Sequence, residues 1–365
     1  MRNRSVLTSS NSNNDSGKAI SEGMLKYPLV SILIPAYNQP VLLSRALKSV
    51  AEQTYPNIQA IVVDDNSPVS LLQVMDNLPK KEGLSLEMYR NPTNLRPYWN
   101  IHHGRQYVKG KYLIYLPHDD YFVDTDFIEN AIRLFAADEY CKLVIANSSV
   151  ESTNTLMLEA CHSEYVRYEG NSYILNELWS SLHPSYSAVI FDYEHILSKG
   201  YDSFVLDAQV QASMGLEPDE LFQALVLAAE DSNVYISGKT VSIRGNPDTS
   251  YSKSNFWRIK SSESCFMPKY QIYRYFANKG KLAETQFFKV FLITYMPINV
   301  INFSILSNLR YSIDAVALMC MSYVYYNIQL FKKLLHSIFL QPLWIPQRVL
   351  RITKNISKKL LQIFY

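Results

Sequence analysis

Two pairs of adjacent aspartates follow apolar stretches of the chain, and their type and spacing could support chemistry. Asp64 and Asp65 follow the run IQAIVV, and Asp119 and Asp120 come shortly after the run KYLIYL. Adjacent carboxylates repel each other, and burying them costs free energy unless a counter-charge is supplied. A divalent cation with a bound diphosphate would supply that charge, because Mg²⁺ and Mn²⁺ prefer carboxylate and phosphate oxygens.

Each pair also has a plainer interpretation, because aspartates are common in turns. The segment DDNS after the first of these runs can form an ordinary Asx turn. Asp119 or Asp120 could instead cap a helix that begins at Asp124. A carboxylate at a strand end could also accept hydrogen bonds from ribose hydroxyls or from a base N–H. The position of each pair in the fold must decide between a turn and a binding site.

The elements that position these aspartates alternate between strands and helices. Apolar runs predict strands at 29–35, 58–63, 84–89, 111–116 and 142–147, and the intervening segments predict helices at 41–53, 69–78, over roughly ten residues after NLRPYWN, and at 124–137. This alternation predicts an α/β fold with a mostly parallel sheet covered by helices on both faces. Ligands of such sheets bind beyond the carboxyl ends of the strands. The segments Tyr37–Asn38, Asp64–Ser67 and His118–Asp120 should therefore converge on one cleft.

The second half of the chain is less regular. Its patterns predict a strand at 186–191, a helix at 219–229 with Asp219 near its start, and two short strands at 233–238 and 240–245. The whole domain is predicted to span residues 27–260, after a Ser- and Asn-rich segment, 1–26, that is predicted to be disordered.

The remaining region, 261–365, is predicted to be helical and membrane-associating. Its apolar runs at 287–306 and 315–326 are not clean spans of about 20 apolar residues. No Asp or Glu occurs after Asp314, whereas that tail carries Lys332, Lys333, Arg348, Arg351, Lys354, Lys358 and Lys359. The segment 349–363 has one apolar and one basic face, as does a helix lying in an anionic membrane interface. A helix packed on the domain, with a solvated basic side, is the alternative.

The cysteines and the N-terminus indicate a cytosolic protein. Cys141, Cys161, Cys265 and Cys320 are far apart and lack CxxC spacing, which favours reduced thiols over a zinc site or disulfides. No apolar stretch follows a basic start, so no secretory signal is predicted. Together with the basic tail, these features predict a peripheral protein at the cytoplasmic face of the cell membrane.

Three stretches of the chain resemble family 2 glycosyltransferases. The stretch VSILIPAYNQPVLLSRALKSVAEQTYPNIQAIVVDDNSP (30–68) looks like the family's N-terminal signature, and NPTNLRPYWNIHHGRQYVKGKYLIYLPHDDYF (91–122) resembles its continuation up to the metal motif. More loosely, GLEPDELFQALVLAAEDSNVYISGKTVSIRGNPDTSYS (215–252) resembles the segment with the catalytic base. The resemblance implies a GT-A fold, a nucleotide-diphosphate-sugar donor and inversion at the anomeric carbon.

The resemblance also implies roles for individual residues. The implied nucleotide-sugar-binding set is Pro35, Ala36, Tyr37, Asn38, Asp65, Arg96, Asn100, His118, Asp119 and Arg244. Within this set Ala36, Tyr37 and Asp65 would line the nucleoside pocket, and Arg96 and Asn100 could contact the donor sugar or its phosphates.

The chemistry would fall to the remaining acids. Asp119 would face the ribose or the donor sugar, and Asp120 would hold Mn²⁺ or Mg²⁺. Asp219 would be the general base, with the adjacent Glu220 as the alternative because helix register is uncertain from sequence. First-turn acids favoured by the helix dipole are the plainer interpretation of both.

Two positions depart from the family's pattern. His118 stands where the common metal motif begins with Asp, and we expect it to form a pocket wall or to donate a hydrogen bond. Asn246 stands where a late His often occurs, so the metal would depend on Asp120, the diphosphate and water. His183 lies in a segment that could border the acceptor site.

The sequence therefore predicts an inverting, metal-dependent transferase. It would move a sugar from a nucleotide-sugar donor, a UDP-sugar first, to a saccharide or lipid-linked acceptor hydroxyl in cell-envelope polysaccharide or glycolipid synthesis. No nucleic acid partner is predicted. The alternatives are a non-catalytic membrane-associated protein with the same fold and a nucleotidyltransferase, although PAYNQPV lacks the Gly and basic residues of a triphosphate loop. A transmembrane polymerising synthase would need long apolar spans.

Overall fold

The computed structural model describes residues 27–150 except 77, 79 and 80, then 164–178, 184–201, 220–245, 269–295 and single positions between 317 and 328. The strands are β1 (Val30–Ala36), β2 (Ile58–Asp64), β3 (Leu84–Arg90), β4 (Tyr112–Tyr115), β5 (Tyr121–Phe122), β6 (Cys141–Val150), β7 (Val166–Glu169), β8 (Val189–Asp192) and β9 (Asn233–Arg244). The longer helices are α1 (Pro40–Ala51), α2 (Leu72–Asp76), α3 (Arg96–Gly104), α4 (Phe127–Ala137), α5 (Tyr193–Ser198), α6 (Glu220–Ala229) and α7 (Leu282–Tyr295). Helical residues 269–278 precede α7.

A nine-stranded sheet organises the described residues. Its order is β3-β2-β1-β4-β8-β6-β9-β5, and β7 pairs with β9. Strands β3, β2, β1 and β4 are mutually parallel neighbours, and β6 is parallel to β9. Strand β8 is antiparallel to β4 and β6, and β5 and β7 are antiparallel to β9. The predicted fold class, an α/β structure with a mainly parallel sheet and a helical C-terminal part, is confirmed.

Both faces of this sheet are covered, as the continuous apolar strands require. Strand β1 is buried, and its alternate residues enter two separate cores. Ile34 packs in one core with Leu43 and Leu47 of α1. Leu33 points to the opposite core, which includes Ile101 of α3. The helices therefore fix β1 from both sides, and with it the loop that follows the strand.

Several predicted boundaries in the second half need correction. The two short strands predicted at 233–238 and 240–245 are one strand, β9, because the Ser-Gly-Lys segment forms an irregularity in the pairing and not a turn. The register moves from Ile145↔Ile236 to Asn147↔Thr240. The strand predicted from 186 begins at Val189, after a short 3₁₀ turn. Strands β5 and β7 were not predicted, because two and four residues are too few to show a period.

Some predictions concern segments outside the described residues. These segments include 1–26, most of 296–328, and the basic tail at 349–363. In the part of the chain that is described, no helix combines the length and apolar character needed to cross a bilayer. Cys141 is buried and Cys320 is exposed, both as free thiols, while Cys161 and Cys265 lie outside the described residues. The predicted domain limits stay predictions.

Candidate functional site

The carboxyl ends of β2, β1 and β4 lie side by side, because these strands are parallel neighbours. The Asp65 N–H donates a hydrogen bond to the carbonyl oxygen of Ala36 at 2.9 Å. Nδ1 of His118 lies 3.0 Å from the carbonyl oxygen of Pro35. The three segments predicted to converge therefore meet at one edge of the sheet, and this shared edge is the candidate site.

Asp64 serves the fold of this edge. Its Oδ1 accepts hydrogen bonds from the N–H and the hydroxyl of Ser67 at 2.9 and 2.5 Å, and its Oδ2 lies 3.0 Å from Nη1 of Arg90. The Ser67 hydroxyl in turn accepts the N–H of Asn38 at 2.9 Å. Asn38 has a φ of 52°, a conformation that Asn tolerates better than most residues. The turn interpretation of DDNS is thus right for Asp64, and the turn ties the loop after β1 to the loop after β2.

Asp65 is buried and holds the loop that leads into α3. Its Oδ1 accepts from Leu95 N–H at 2.7 Å and from Nδ2 of Asn91 at 2.9 Å, and its Oδ2 accepts from Arg96 N–H at 2.8 Å. Residue 96 has a φ of 71°, so these bonds hold the backbone in the left-handed region. The contacts give Asp65 a loop-anchoring role, and its nucleoside contact stays a prediction.

Asn100 makes anchoring contacts where a donor contact was predicted. Its Nδ2 donates to the carbonyl oxygen of Val63 at 3.0 Å, and its Oδ1 accepts from Asn91 at 2.8 Å. The side chain is buried, so both ends of the amide act within the protein. Asn100 therefore locks α3 onto the end of β2.

Other predicted donor-binding residues differ in their exposure. Tyr37 is 43% exposed, whereas Ala36 is buried at the end of β1. The side chains of Arg96 and Arg244 are exposed, and Pro35 is half-buried. Tyr37 directly follows β1, and Arg96 is the first residue of α3. Both side chains are exposed at this edge of the sheet, so each could contact a bound nucleotide-sugar.

The contacts of His118 define its tautomer. A backbone carbonyl only accepts hydrogen bonds, so the imidazole Nδ1 that faces Pro35 carries the proton. Burial lowers the pKa of His118 more than Asp119 and the Pro35 carbonyl raise it, which keeps the ring neutral near pH 7. Nε2 is then an acceptor, it is shielded from solvent, and none of the described residues forms a hydrogen bond with it. The predicted hydrogen-bond donation by His118 is directed to the protein backbone.

Asp120 is buried, and protein groups donate hydrogen bonds to both oxygens of its carboxylate, including the Ser185 hydroxyl, which lies 3.3 Å from Oδ2. Its Oδ2 accepts from the Ser187 hydroxyl at 2.8 Å, and its Oδ1 accepts from the Gly245 N–H at 3.2 Å. Burial, and then the charge of Asp119, raise the pKa of Asp120 to about 6. The bonds from Ser187 and Gly245 and the charge of Arg244 act in the opposite direction. Asp120 thus joins the loop after β4 to the start of β8 and the end of β9.

Asp119 is the half-exposed member of the pair. Within the described part of the chain, no donor bonds its carboxylate, while its backbone carbonyl accepts from Nη2 of Arg45 at 3.2 Å. Helix α4 begins at Phe127, so neither acid of the pair caps it. The chain therefore leaves one carboxylate available and uses the other internally.

A divalent cation fits this arrangement through Asp119. The described residues contain no cluster of three or more His, Cys, Asp or Glu side chains suited to a metal. Mg²⁺ and Mn²⁺ do not require one, because they are held at nucleotide sites by one or two carboxylates with phosphate and water. The carboxylate of Asp119 is half-exposed whereas that of Asp120 is buried, and the metal role of Asp120 stays a prediction.

The sequence prediction missed the residues that fix this loop. Ser187 and Gly245 bond Asp120, and Arg45 of α1 bonds the carbonyl of Asp119. A serine or a glycine gives no sequence signal for such a role. Arg45 does give one, because it is a charged residue on the otherwise mostly apolar helix α1. Asp219, His183 and Asn246 lie outside the described residues, and Glu220 is the first residue of α6.

Sequence comparisons match this part of the chain to one family. Residues 31–196 match the family described as Glycosyl transferase family 2. An uncharacterized glycosyltransferase of Haemophilus influenzae is 30% identical over 109 residues, which cover 30% of this chain and 43% of that protein. The GalNAc(5)-diNAcBac-PP-undecaprenol beta-1,3-glucosyltransferase of Campylobacter jejuni is 30% identical over 93 residues, covering 26% of this chain and 30% of that protein. The chain thus spans less than half of each of these relatives.

Solved structures match over a larger share of the chain. The structure of S. aureus TarS 1-349 has a TM-score of 0.53 at 15% identity and covers 80% of each chain. The complex of TarS 1-349 with UDP-GlcNAc has a TM-score of 0.55 at 16% identity and covers 80% of this chain and 79% of that one. At this level of identity the likeness is one of fold.

Proposed function

Since residues 31–196 of this chain form a family 2 glycosyltransferase domain, we propose that the protein transfers a sugar from a nucleotide-diphosphate donor to an acceptor hydroxyl with inversion. The observation that carries the proposal is the position of Asp119. Its half-exposed carboxylate lies at the sheet edge where the loops after β1, β2 and β4 meet. Ligands of open α/β sheets bind at such edges.

The donor end of the reaction needs stabilisation of the leaving diphosphate. A bound Mn²⁺ or Mg²⁺ would neutralise the charge that develops on that group. Asp119 would hold the ion through its half-exposed carboxylate. Asp120 keeps the loop in place through Ser187 and Gly245.

The acceptor end needs a base for the hydroxyl proton. We assign this role to Asp219 or to Glu220, the first residue of α6. The N–H of the next residue, Leu221, lies 3.4 Å from the hydroxyl of Tyr186, and Tyr186 directly precedes the serine that bonds Asp120. The start of α6 is therefore connected to the sheet edge through three residues, which supports a base on this side of the site.

Similarity of fold supports a proposal for the donor. TarS 1-349 was crystallised with UDP and with UDP-GlcNAc. We accordingly propose a UDP-sugar as the donor, with the exposed Tyr37 beside the nucleoside. A lipid-linked or polymeric saccharide is the proposed acceptor, in line with the undecaprenol-linked substrate named for the C. jejuni relative.

Nucleotide-sugar binding and turnover test the proposal directly. The full chain is titrated with UDP-, GDP- and dTDP-sugars with and without Mn²⁺, and release of the nucleoside diphosphate is measured. We expect Mn²⁺-dependent binding and turnover of at least one UDP-sugar. Asp219→Asn or Glu220→Gln should abolish transfer while donor binding persists. Absence of any Mn²⁺-dependent nucleotide-sugar binding would refute the proposal and favour a non-catalytic protein with this fold.

Membrane attachment is a separate part of the proposal. The uncompensated cations of the tail and the amphipathic pattern at 349–363 support a peripheral position on an anionic membrane, at its cytoplasmic face. Deletion of 340–365 should abolish co-sedimentation with vesicles that contain anionic lipid and should spare activity on a soluble acceptor. Equal sedimentation of both forms would contradict the anchor.

A further inference from the structure

Three polar residues spaced by four lie along α1 and just beyond its end. They are Arg45, Ser49 and Gln53. Residues four apart share one face of a helix. Ser49 and Gln53 are buried, at 5% and 1% exposure, beside apolar helix residues that pack into a core. Buried polar side chains need hydrogen-bond partners. The Ser49 hydroxyl donates to the carbonyl oxygen of Ala46 in the same helix, and the other partners of this face belong to another segment.

Those partners are backbone atoms of the loop 119–124, which carries the aspartate pair and includes the two-residue strand β5. Nη2 of Arg45 donates to the carbonyl oxygen of residue 119 at 3.2 Å. The hydroxyl of Ser49 accepts the N–H of Phe122 at 3.0 Å. Nε2 of Gln53 donates to the carbonyl oxygen of Asp124 at 2.8 Å. We call these three side chains the polar stripe of α1.

Arg45 also contacts this segment through the plane of its guanidinium group. Its guanidinium lies over the ring of Tyr121, with 4.2 Å from Cζ to the ring centroid. A cation–π contact fixes the plane of the guanidinium, and the hydrogen bond fixes its direction. Arg45 therefore contacts the loop on both sides of Asp120: it bonds the backbone of Asp119 and stacks on the ring of Tyr121.

We propose that Arg45 is a positioning residue that sets the direction of the Asp119 carboxylate, and that the polar stripe extends this support along the loop. The inference rests on the proposed function, in which Asp119 holds the cation. Within the described part of the chain no donor bonds the Asp119 carboxylate, so its direction depends on the backbone that carries it. Groups that orient a metal ligand in this way commonly change metal affinity by about 10–100-fold when removed.

The two ends of the stripe should behave differently. Arg45 bonds the residue that carries the ligand, whereas Gln53 bonds a carbonyl five residues further along and is almost fully buried. Loss of Arg45 should therefore weaken cation binding with little change in stability. Loss of Gln53 should lower stability with little change in cation affinity, because the far end of the loop is also paired through Thr54 N–H and Thr125 O.

The experiment measures Mn²⁺ affinity and unfolding on the same variants. The full chain is saturated with UDP, Mn²⁺ is titrated by calorimetry and by the loss of its free electron-spin-resonance signal, and urea midpoints are recorded. We expect Arg45→Gln to weaken Mn²⁺ binding about tenfold at an unchanged midpoint. Gln53→Ala should show a lower midpoint with unchanged Mn²⁺ affinity. The control Arg133→Gln removes an exposed helix pair with Glu129 and should change neither quantity.

Tyr121 provides a second test that does not need the Arg45 variant to fold. Tyr121→Phe keeps the ring and should bind Mn²⁺ like the unaltered protein, while Tyr121→Leu should bind it more weakly. Unaltered Mn²⁺ affinity in Arg45→Gln, or in Tyr121→Leu if the first variant does not fold, overturns the inference.

Asp119→Asn separates this inference from the function beneath it. If Asp119→Asn binds Mn²⁺ and UDP normally, the proposed function of Asp119 fails. If Asp119→Asn loses Mn²⁺ binding and Arg45→Gln keeps it, only the positioning role fails.

Discussion

Two pairs of sequence-adjacent acids follow elements of this fold, and their surroundings differ in charge. Glu230 and Asp231 follow α6, and lysines surround them: Nζ of Lys281 lies 2.7 Å from a carboxylate oxygen of each. Lys199 approaches both acids at 3.5 Å. Asp119 and Asp120 follow β4, and the described residues give them no lysine contact.

The pKa values of the buried members report the same contrast. Burial raises the pKa of Glu230, but the hydrogen bonds from Lys281 and Tyr275 and the nearby lysine charges outweigh it, so the net shift is downward. Burial and Asp119 raise the pKa of Asp120 to about 6, and hydroxyl and amide donors do not reverse this shift. Lysines contact the acid pair after α6, whereas at the sheet edge the charge of Arg244 opposes the upward pKa shift of Asp120 without reversing it, which leaves a deficit of positive charge. That deficit is what an added divalent cation would fill.

The largest effect is expected from removing the half-exposed carboxylate of Asp119, which tests this contrast directly. Asp119→Asn should lower kcat/KM by about 10³-fold, because the charge that stabilises the leaving diphosphate loses its ligand. Mn²⁺ affinity in the presence of UDP should fall with it, at an unchanged urea midpoint. Turnover assays and calorimetry provide the measurement. Normal Mn²⁺-dependent turnover would show that the deficit at the sheet edge has no function.

Changes at the pair Glu230–Asp231 should lower stability and leave Mn²⁺ affinity unchanged. Lys281→Met leaves Glu230, which is fully buried, without its shortest cation contact, and should lower the free energy of unfolding by about 3 kcal/mol. Mn²⁺ affinity should not change, because the contacts of Lys281 lie at the other end of α6. Urea unfolding is the measurement, with the exposed Lys48→Met as control. Normal stability of Lys281→Met would show that the ion pairs of Lys281 with Glu230 and Asp231 do not stabilise the fold.

A smaller effect is expected from the buried member of the sheet-edge pair. Asp120→Asn keeps the shape and can still accept the Gly245 N–H, while the Ser187 hydroxyl can turn to accept from the amide. We expect a fall in kcat/KM of about tenfold, well short of the loss in Asp119→Asn. The comparison of the two variants under identical Mn²⁺ concentrations decides which aspartate is the ligand. An equal or larger loss in Asp120→Asn would restore the assignment made from sequence.

The smallest expected effect is on the stability of the protein at acidic pH. The pKa of Glu230 is lowered from its usual 4.5, so its contribution to stability is complete above that value and is lost as pH falls through the lowered pKa. The native protein should therefore lose stability below about pH 4.5 more steeply than Glu230→Gln, which has no proton to take up. Urea midpoints between pH 3 and 7 measure this difference. Parallel pH profiles for the two proteins would contradict the ion-pair account of Glu230.

Much of the first half of the fold was predictable, because β1, β2 and β4 are buried along nearly their whole length and give continuous apolar runs. The predicted strand at 58–63 matches β2 (Ile58–Asp64), and that at 84–89 matches β3. The second half was harder, since β8 runs antiparallel between two parallel strands and β9 crosses an irregularity that looks like a turn in the sequence. Pairing partners far apart in sequence decide such features, and a local pattern does not contain them.

The sequence alone determined that the ends of β1, β2 and β4 would meet, because continuous apolar strands joined by helices can only form a parallel sheet with its ligand edge at the carboxyl ends. It also determined which side chains would stand at that edge. Only the tertiary structure decided how two adjacent aspartates divide their roles, since Ser187 and Gly245 reach Asp120 from segments 67 and 125 residues away. Hydrogen bonds act over about 3 Å whatever the separation along the chain, so which carboxylate stays available is set by packing and not by spacing.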